Sequence, residues 1–203
     1  MVPRAKKNLH ECVHHLGQMK QAKHFEELEI SFAAFVRSGR EVTWVLQKEF
    51  INHARFSEEF VKWYGDRENP AEGTKAYEMA NDELCRYFLN TRNSIEKEGI
   101  NGLVCNLKLA SFDSSKDIVD APANSSLIIK GSGIYHLVNE GTSEEDLVPA
   151  KTTAELTTFV FIGDPPSVHL NQPVPSNDIF TLSDLYFTYL RGLVEEWTGI
   201  LNT

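Results

Sequence analysis

The residues with the clearest capacity for chemistry are a few arginines and histidines set at helical spacing. Arg92 stands beside Asn93, and Arg37, Arg40 and Glu41 interrupt an otherwise apolar helical stretch. An arginine in such a place either carries its head out to solvent or meets a carboxylate or phosphate, which its planar fork fits. His10, His14 and His15 lie on a basic opening segment, and His10 with His14 has the i, i+4 separation that can present two imidazoles to one metal. No third ligand accompanies them, so a solvated or partner-facing surface is expected there, with no metal and no cofactor. Cys12, Cys85 and Cys105 are odd in number, far apart and without a C-x-x-C pair, as suits free, buried thiols in a reducing compartment. The patterns G-x-x-x-x-G-K-[ST], G-x-G-x-x-G, H-E-x-x-H and G-x-S-x-G are absent, which withdraws sequence support from the common nucleotide-binding, zinc-protease and hydrolase chemistries.

Helical periodicity has to position these groups. Leu9, Cys12, Val13, Leu16 and Met19 form one apolar stripe between Arg4 and about Lys23. The same step runs from Phe25 to about Asn52 across Ser38-Gly39, where glycine costs about 1 kcal/mol against alanine and so suggests a kink or a close helix contact. A short third helix is expected from Ser57, an N-cap residue type, to Tyr64, and a fourth from about Glu72 to Glu98, stopped by Gly99. After Gly99 the period changes. Leu103–Leu109, Ser126–Val138 and Leu156–Ile162 read as strands, Glu140–Asp146 as a solvated acidic turn, and the four-proline stretch Asp164–Asp178 as an extended connection without an element. A final helix is expected over Leu182–Trp197. The fold class is therefore mainly α: a helical bundle over residues 1–100, a small β-containing extension over 101–178, and a C-terminal helix over 179–203 that packs back on the bundle.

Composition narrows the partners. The 203 residues carry a formal charge of −9, yet residues 1–24 hold five basic groups against Glu11 alone, a local +4 on a body of −13. Nucleic acid could be met only locally, because phosphate neutralisation needs clustered Lys and Arg, and Lys6, Lys7, Lys20 and Lys23 are the candidate contacts. Neither a secretory leader nor an apolar run long enough for a membrane span is visible, so a cytoplasmic protein without membrane contact is expected.

The runs Phe35–Phe50 (FVRSGREVTWVLQKEF), Phe60–Tyr64 (FVKWY) and Phe88–Gly99 (FLNTRNSIEKEG) together resemble the HEPN superfamily of small helical proteins, over roughly residues 5–100. The resemblance implies a helical bundle that dimerises. In many members it implies a metal-independent ribonuclease whose Arg, polar neighbour and downstream His meet their symmetry mates across the dimer cleft, in toxin, antiphage-defence or RNA-processing roles. Arg92 matches the arginine and Asn93 its neighbour, with Arg40 and Glu41 as supporting groups. The histidine is missing: after four, five or six intervening residues stand Lys97, Glu98 and Gly99. Cleavage through a 2′-hydroxyl needs a group that exchanges a proton near neutral pH, which imidazole does at about 6.5 and lysine at about 10.4 does not. The expectation is a catalytically degenerate protein whose Arg92, Asn93 and Lys97 bind rather than cleave, acting as a homodimer or a subunit of a complex, with RNA as a candidate partner. A ribonuclease using another base, such as His53 or Lys97, is the alternative.

Overall fold

Apolar residues at three- and four-residue steps do become helices through the first hundred residues. In a computed structural model, which describes residues 2–22, 25–99, 102–109, 121–123, 125–130, 133–139, 141, 146–150, 156–162 and 164–202, they form α1 (Pro3–Gln21), α2 (Phe25–Phe50), α3 (Ser57–Tyr64), α4 (Lys75–Asn81) and α5 (Glu83–Glu98). Among the described residues seven strands follow: β1 (Leu103–Leu109), β2 (Ser125–Lys130), β3 (Gly133–Val138), β4 (Asp146–Pro149), β5 (Leu156–Ile162), β6 (Val168–His169) and β7 (Gln172–Pro173). Helix α6 (Ile179–Leu201) comes last. The chain is mainly helical, with a small antiparallel sheet before the C-terminal helix. It divides into two compact units, residues 1–104 with 161–203, and residues 105–160.

The helical unit is built around aromatic rings. Phe32, Phe35 and Phe88 are fully buried beside Tyr186 of α6, whose ring lies parallel to that of Phe88 at 4.2 Å and 7°. A second cluster stacks Trp63 on Trp197 and sets Phe50 and Phe60 edge-on against Trp197 at 5.1 and 5.0 Å. Each such ring removed from water contributes about 1.5–3 kcal/mol, and edge-on or offset pairing adds to it. Helix α2 runs through Gly39 unbroken, and the reason is a close approach: a Cβ there would stand 2.8 Å from Tyr186 Cε1 and 3.2 Å from Leu190 Cδ1. Asp178 starts α6 by accepting the Phe180 and Thr181 amides, each at 3.0 Å, and Gly99 ends α5 in the left-handed region at φ 70°.

In the second unit β2, β3 and β4 form an antiparallel meander, with Leu127 opposite His136 and Leu137 opposite Leu147. Strands β1 and β5 are neighbours in a two-stranded sheet.

Four sequence expectations need correction. The fourth helix is two helices, because Asp82 is extended (φ −75°, ψ 129°) and its side chain caps α5. Ser57 is the first residue of α3, not its cap; Phe56 holds that position, without a capping side chain. The stretch read as one strand from Ser126 to Val138 is two antiparallel strands, β2 and β3; Gly131 and Ser132, like most of the stretch read as an acidic turn, lie outside the described residues. The proline-rich connection contains the β6–β7 hairpin: Pro165 and Pro166 precede it, Pro175 follows it, and Pro173 takes an antiparallel position opposite Val168. Leu170 and Asn171, both at positive φ (48° and 61°), make its two-residue turn, a backbone that the sequence Leu-Asn signals only through the asparagine.

Candidate functional site

Helix α5 presents the residues singled out for phosphate chemistry. Arg92 is half-buried and its Nη1 donates to Asn93 Oδ1 at 3.3 Å; it forms no ion pair with a carboxylate among the described residues, although Glu96, one turn on, feels its charge. Lys97 is exposed in the last turn, where its charge complements the C-terminal end of the helix. One turn away, Arg37 Nε donates to Glu96 at 2.6 Å, tying α2 to α5 and holding the Glu96 carboxyl below its ordinary range. Glu41 is exposed on α2, and Glu49 Oε2 is buried without a hydrogen-bond partner. His53 stacks on Phe50, lies tilted against Phe56 at 5.2 Å between ring centres, and accepts the Arg55 amide at 3.2 Å, so neither it nor any other described histidine joins Arg92.

Beside this helix lies a cavity of about 160 Å³, walled by Tyr64, Met79, Cys85, Phe88 and Tyr186 and edged by Arg40, Arg67, Ala80 and Leu89. Arg40 is half-buried, and its Nη1 donates to Thr43 Oγ1 at 2.9 Å; Arg67 is exposed in the loop after α3. Neither forms an ion pair with any described residue. Burial, and then the neighbouring charges of Arg67 and Arg92, lower the Arg40 pKa. Burial raises Tyr64, against the opposing pull of Arg40 and Arg67. Arg40 belongs to the polar insert noticed in the sequence; Arg67, Tyr64 and Tyr186 were not singled out. Asp66 and Glu68 flank Arg67, which disguises it as part of a solvated turn, and no sequence signal places it against α4 and α5.

The basic face of α1 is only partly free. Lys6 and Lys7 are exposed, Lys7 standing 3.8 Å from Glu11, whereas Lys20 Nζ donates to both oxygens of Asp184 on α6 at 2.8 Å; Lys23 lies outside the described residues. His10 and His14 are exposed, His15 pairs with Gln18, and no group of three metal-ligating side chains occurs among the described residues.

At the opposite end of α5 a second polar constellation is used structurally. Asp82 accepts the Cys85 amide at 2.9 Å, the Leu170 amide at 2.7 Å and His169 Nδ1 at 3.0 Å, while Glu83 accepts the Ser167 and Val168 amides and the Ser167 hydroxyl. Burial pushes the Asp82 carboxyl up, but these donors more than reverse it and hold it down at about 2. Tyr189 lies edge-on to His169 and donates to Glu78 at 2.9 Å. This network anchors the β6–β7 hairpin to the start of α5. Burial pushes the Cys12 thiol up to about 12 and Cys85 higher still, so both are inert packing groups; nothing is described of the Cys105 side chain.

Among the described residues no helix is long and apolar enough to cross a membrane. No curated protein and no solved structure matches the chain. A family model does match residues 2–126, more than half of the chain, across all five N-terminal helices and into the first strands. The chain belongs to the family described as bacteriophage lambda protein ea47.

Proposed function

We propose that this chain is a catalytically degenerate HEPN-like protein that acts as a binding or assembly subunit, in a homodimer or a larger complex within the cytoplasm, with RNA as its candidate ligand. One observation carries the reading: Arg92 and Asn93 stand together on α5, where no carboxylate among the described residues pairs with the guanidinium and Glu96, one turn on, is bonded to Arg37 instead, while the place of the proton-exchanging histidine is held by an exposed lysine and no imidazole among the described residues joins them. Such a pair can grip a phosphate, and it lacks the group that would move a proton off a 2′-hydroxyl. Lys6 and Lys7 add local positive charge on α1, on a chain otherwise too acidic to coat nucleic acid. Membership of a phage-protein family supports a setting in phage infection or in the response to it.

The test is a mixed-sequence RNA incubated with the purified protein and with Arg92→Ala, scored for cleavage and for binding. The expected outcome is no Arg92-dependent cleavage, with binding that weakens in Arg92→Ala and falls steeply as salt rises. Robust cleavage lost in Arg92→Ala overturns the proposal in favour of a metal-independent ribonuclease. Light scattering gives the oligomeric mass directly.

A further inference from the structure

The cavity between α2, α3, α4, α5 and α6 has a feature that packing alone does not explain. Its walls are apolar and aromatic, with Tyr64, Cys85, Phe88 and Tyr186 all buried, yet two guanidinium groups edge it and no carboxylate among the described residues pairs with them. Arginine drawn into an apolar setting is ordinarily paired, because the uncompensated charge loses hydration and gains nothing in return. Here Arg40 is half-buried, spends one N–H on Thr43, and has Arg67 and Arg92 as charged neighbours of its own sign. An anion placed between Arg40 and Arg67 would reverse both penalties.

We propose that this cavity binds a compact doubly charged oxyanion, namely inorganic phosphate or the phosphate end of a monoester, held by Arg40 and Arg67. The size sets the ligand class. At about 160 Å³ the space is close to that of a cavity that takes one benzene ring, and well below the roughly 300 Å³ at which sites for drug-sized ligands begin. A phosphate group fits, while a nucleoside attached to it would have to stay outside. The fork of two arginines favours a dianion over a diester, which carries one charge and offers fewer free oxygens. This site lies within a single chain and needs neither a partner copy nor the Arg92–Asn93 pair, so it goes beyond the RNA-binding reading.

The experiment is calorimetric titration of the full chain with inorganic phosphate at about 0.15 M salt and about pH 7.5, where a phosphomonoester with a second pKa of about 6 is doubly charged. Saturable one-to-one binding is expected, weakened about tenfold or more in Arg67→Gln and in Arg40→Gln. Lys62→Gln removes one exposed charge from α3 without touching the cavity and should stay within about twofold of the unaltered chain. Dimethyl phosphate should bind markedly less tightly than inorganic phosphate. Paired RNA oligomers with a 5′-phosphate or a 5′-hydroxyl separate the sources of the group: tighter binding of the phosphorylated oligomer, competed by inorganic phosphate, assigns the site to an RNA end, and equal binding assigns it to a small phosphomonoester. The proposal is overturned if the chain shows no saturable phosphate binding up to about 10 mM, far weaker than any functional site. It is also overturned if Arg67→Gln binds as tightly as the unaltered chain, or if Lys62→Gln loses as much affinity as Arg67→Gln.

Discussion

Replacing Gly39 by alanine sets two opposing effects against each other. In the middle of α2 the added methyl improves helix propensity by about 1 kcal/mol. The same methyl would lie 2.8 Å from Tyr186 Cε1 and 3.2 Å from Leu190 Cδ1. Overpacking of this kind costs about 1–3 kcal/mol, toward the lower end where the neighbour can rotate away. Tyr186 cannot: its ring is parallel to Phe88 at 4.2 Å and edge-on to Phe35 at 6.4 Å. Relief must come from parting α2 from α6. Since the strain exceeds the propensity gain, Gly39→Ala should lose about 1–2 kcal/mol, and Tm should fall by about 2–4 °C for each kcal/mol. Gly192 of α6 is the control: it is exposed, nothing stands within 4 Å of a Cβ built on it, and Gly192→Ala should gain up to about 1 kcal/mol. Thermal and urea unfolding followed by near-ultraviolet dichroism measure both. A Gly39→Ala chain as stable as Gly192→Ala would refute the steric reasoning.

Two further perturbations test the polar end of α5 and the thiols. Asp82→Asn weakens a helix cap and two contacts to the hairpin at once and should cost about 1–3 kcal/mol in urea unfolding, with faster amide exchange at Leu170. Because the folded Asp82 pKa of about 2 lies below its ordinary 3.8, the stabilisation is complete above about pH 4 and is lost as pH falls toward 2. The slope of stability over that interval should flatten in Asp82→Asn, and an unchanged slope would contradict the assignment. Cys12 and Cys85, buried and with raised pKa values, should resist a thiol reagent at about pH 8 in the folded chain and react once it is unfolded. Mass spectrometry of labelled peptides reads each site separately.

Periodicity made the helical half legible because one burial stripe decides each helix. In α1 the residues Cys12, Leu16 and Met19 are buried as their spacing requires, while Val13, at the edge of the stripe, is 46% exposed. It could not reveal the break at Asp82. Apolar residues keep their step through Ala76, Ala80 and Leu84, and the extended conformation of Asp82 is stabilised by Leu170 and His169, some 87 residues later in the chain. The β6–β7 hairpin escaped for the same reason, since its proline-rich sequence describes a connection unless Asp82 and Glu83 are there to receive its amides. In the candidate site, Arg40 and Arg92 were visible as polar intrusions on apolar helices. Arg67 was not, because its role depends on a loop folding against α4 and α5. Gly39 was readable as a kink or a close contact, and only the tertiary packing of Tyr186 decides for the contact.

The hydrophobic core of the helical unit is closed by α6, a helix set far along the chain from the five that it covers. Tyr186 and Trp197 stand at the centres of its two aromatic clusters, and about 75 residues separate Val104 from Ile179. At a translation rate of about 5–20 residues per second, roughly 4–15 s pass between emergence of α1–α5 and arrival of α6. During that interval Phe35, Phe50, Phe60 and Phe88 lack their covering rings. The nascent bundle is then a sticky intermediate, and a chain interrupted within the β segment would be a client for chaperones and proteases rather than a smaller working version of the protein.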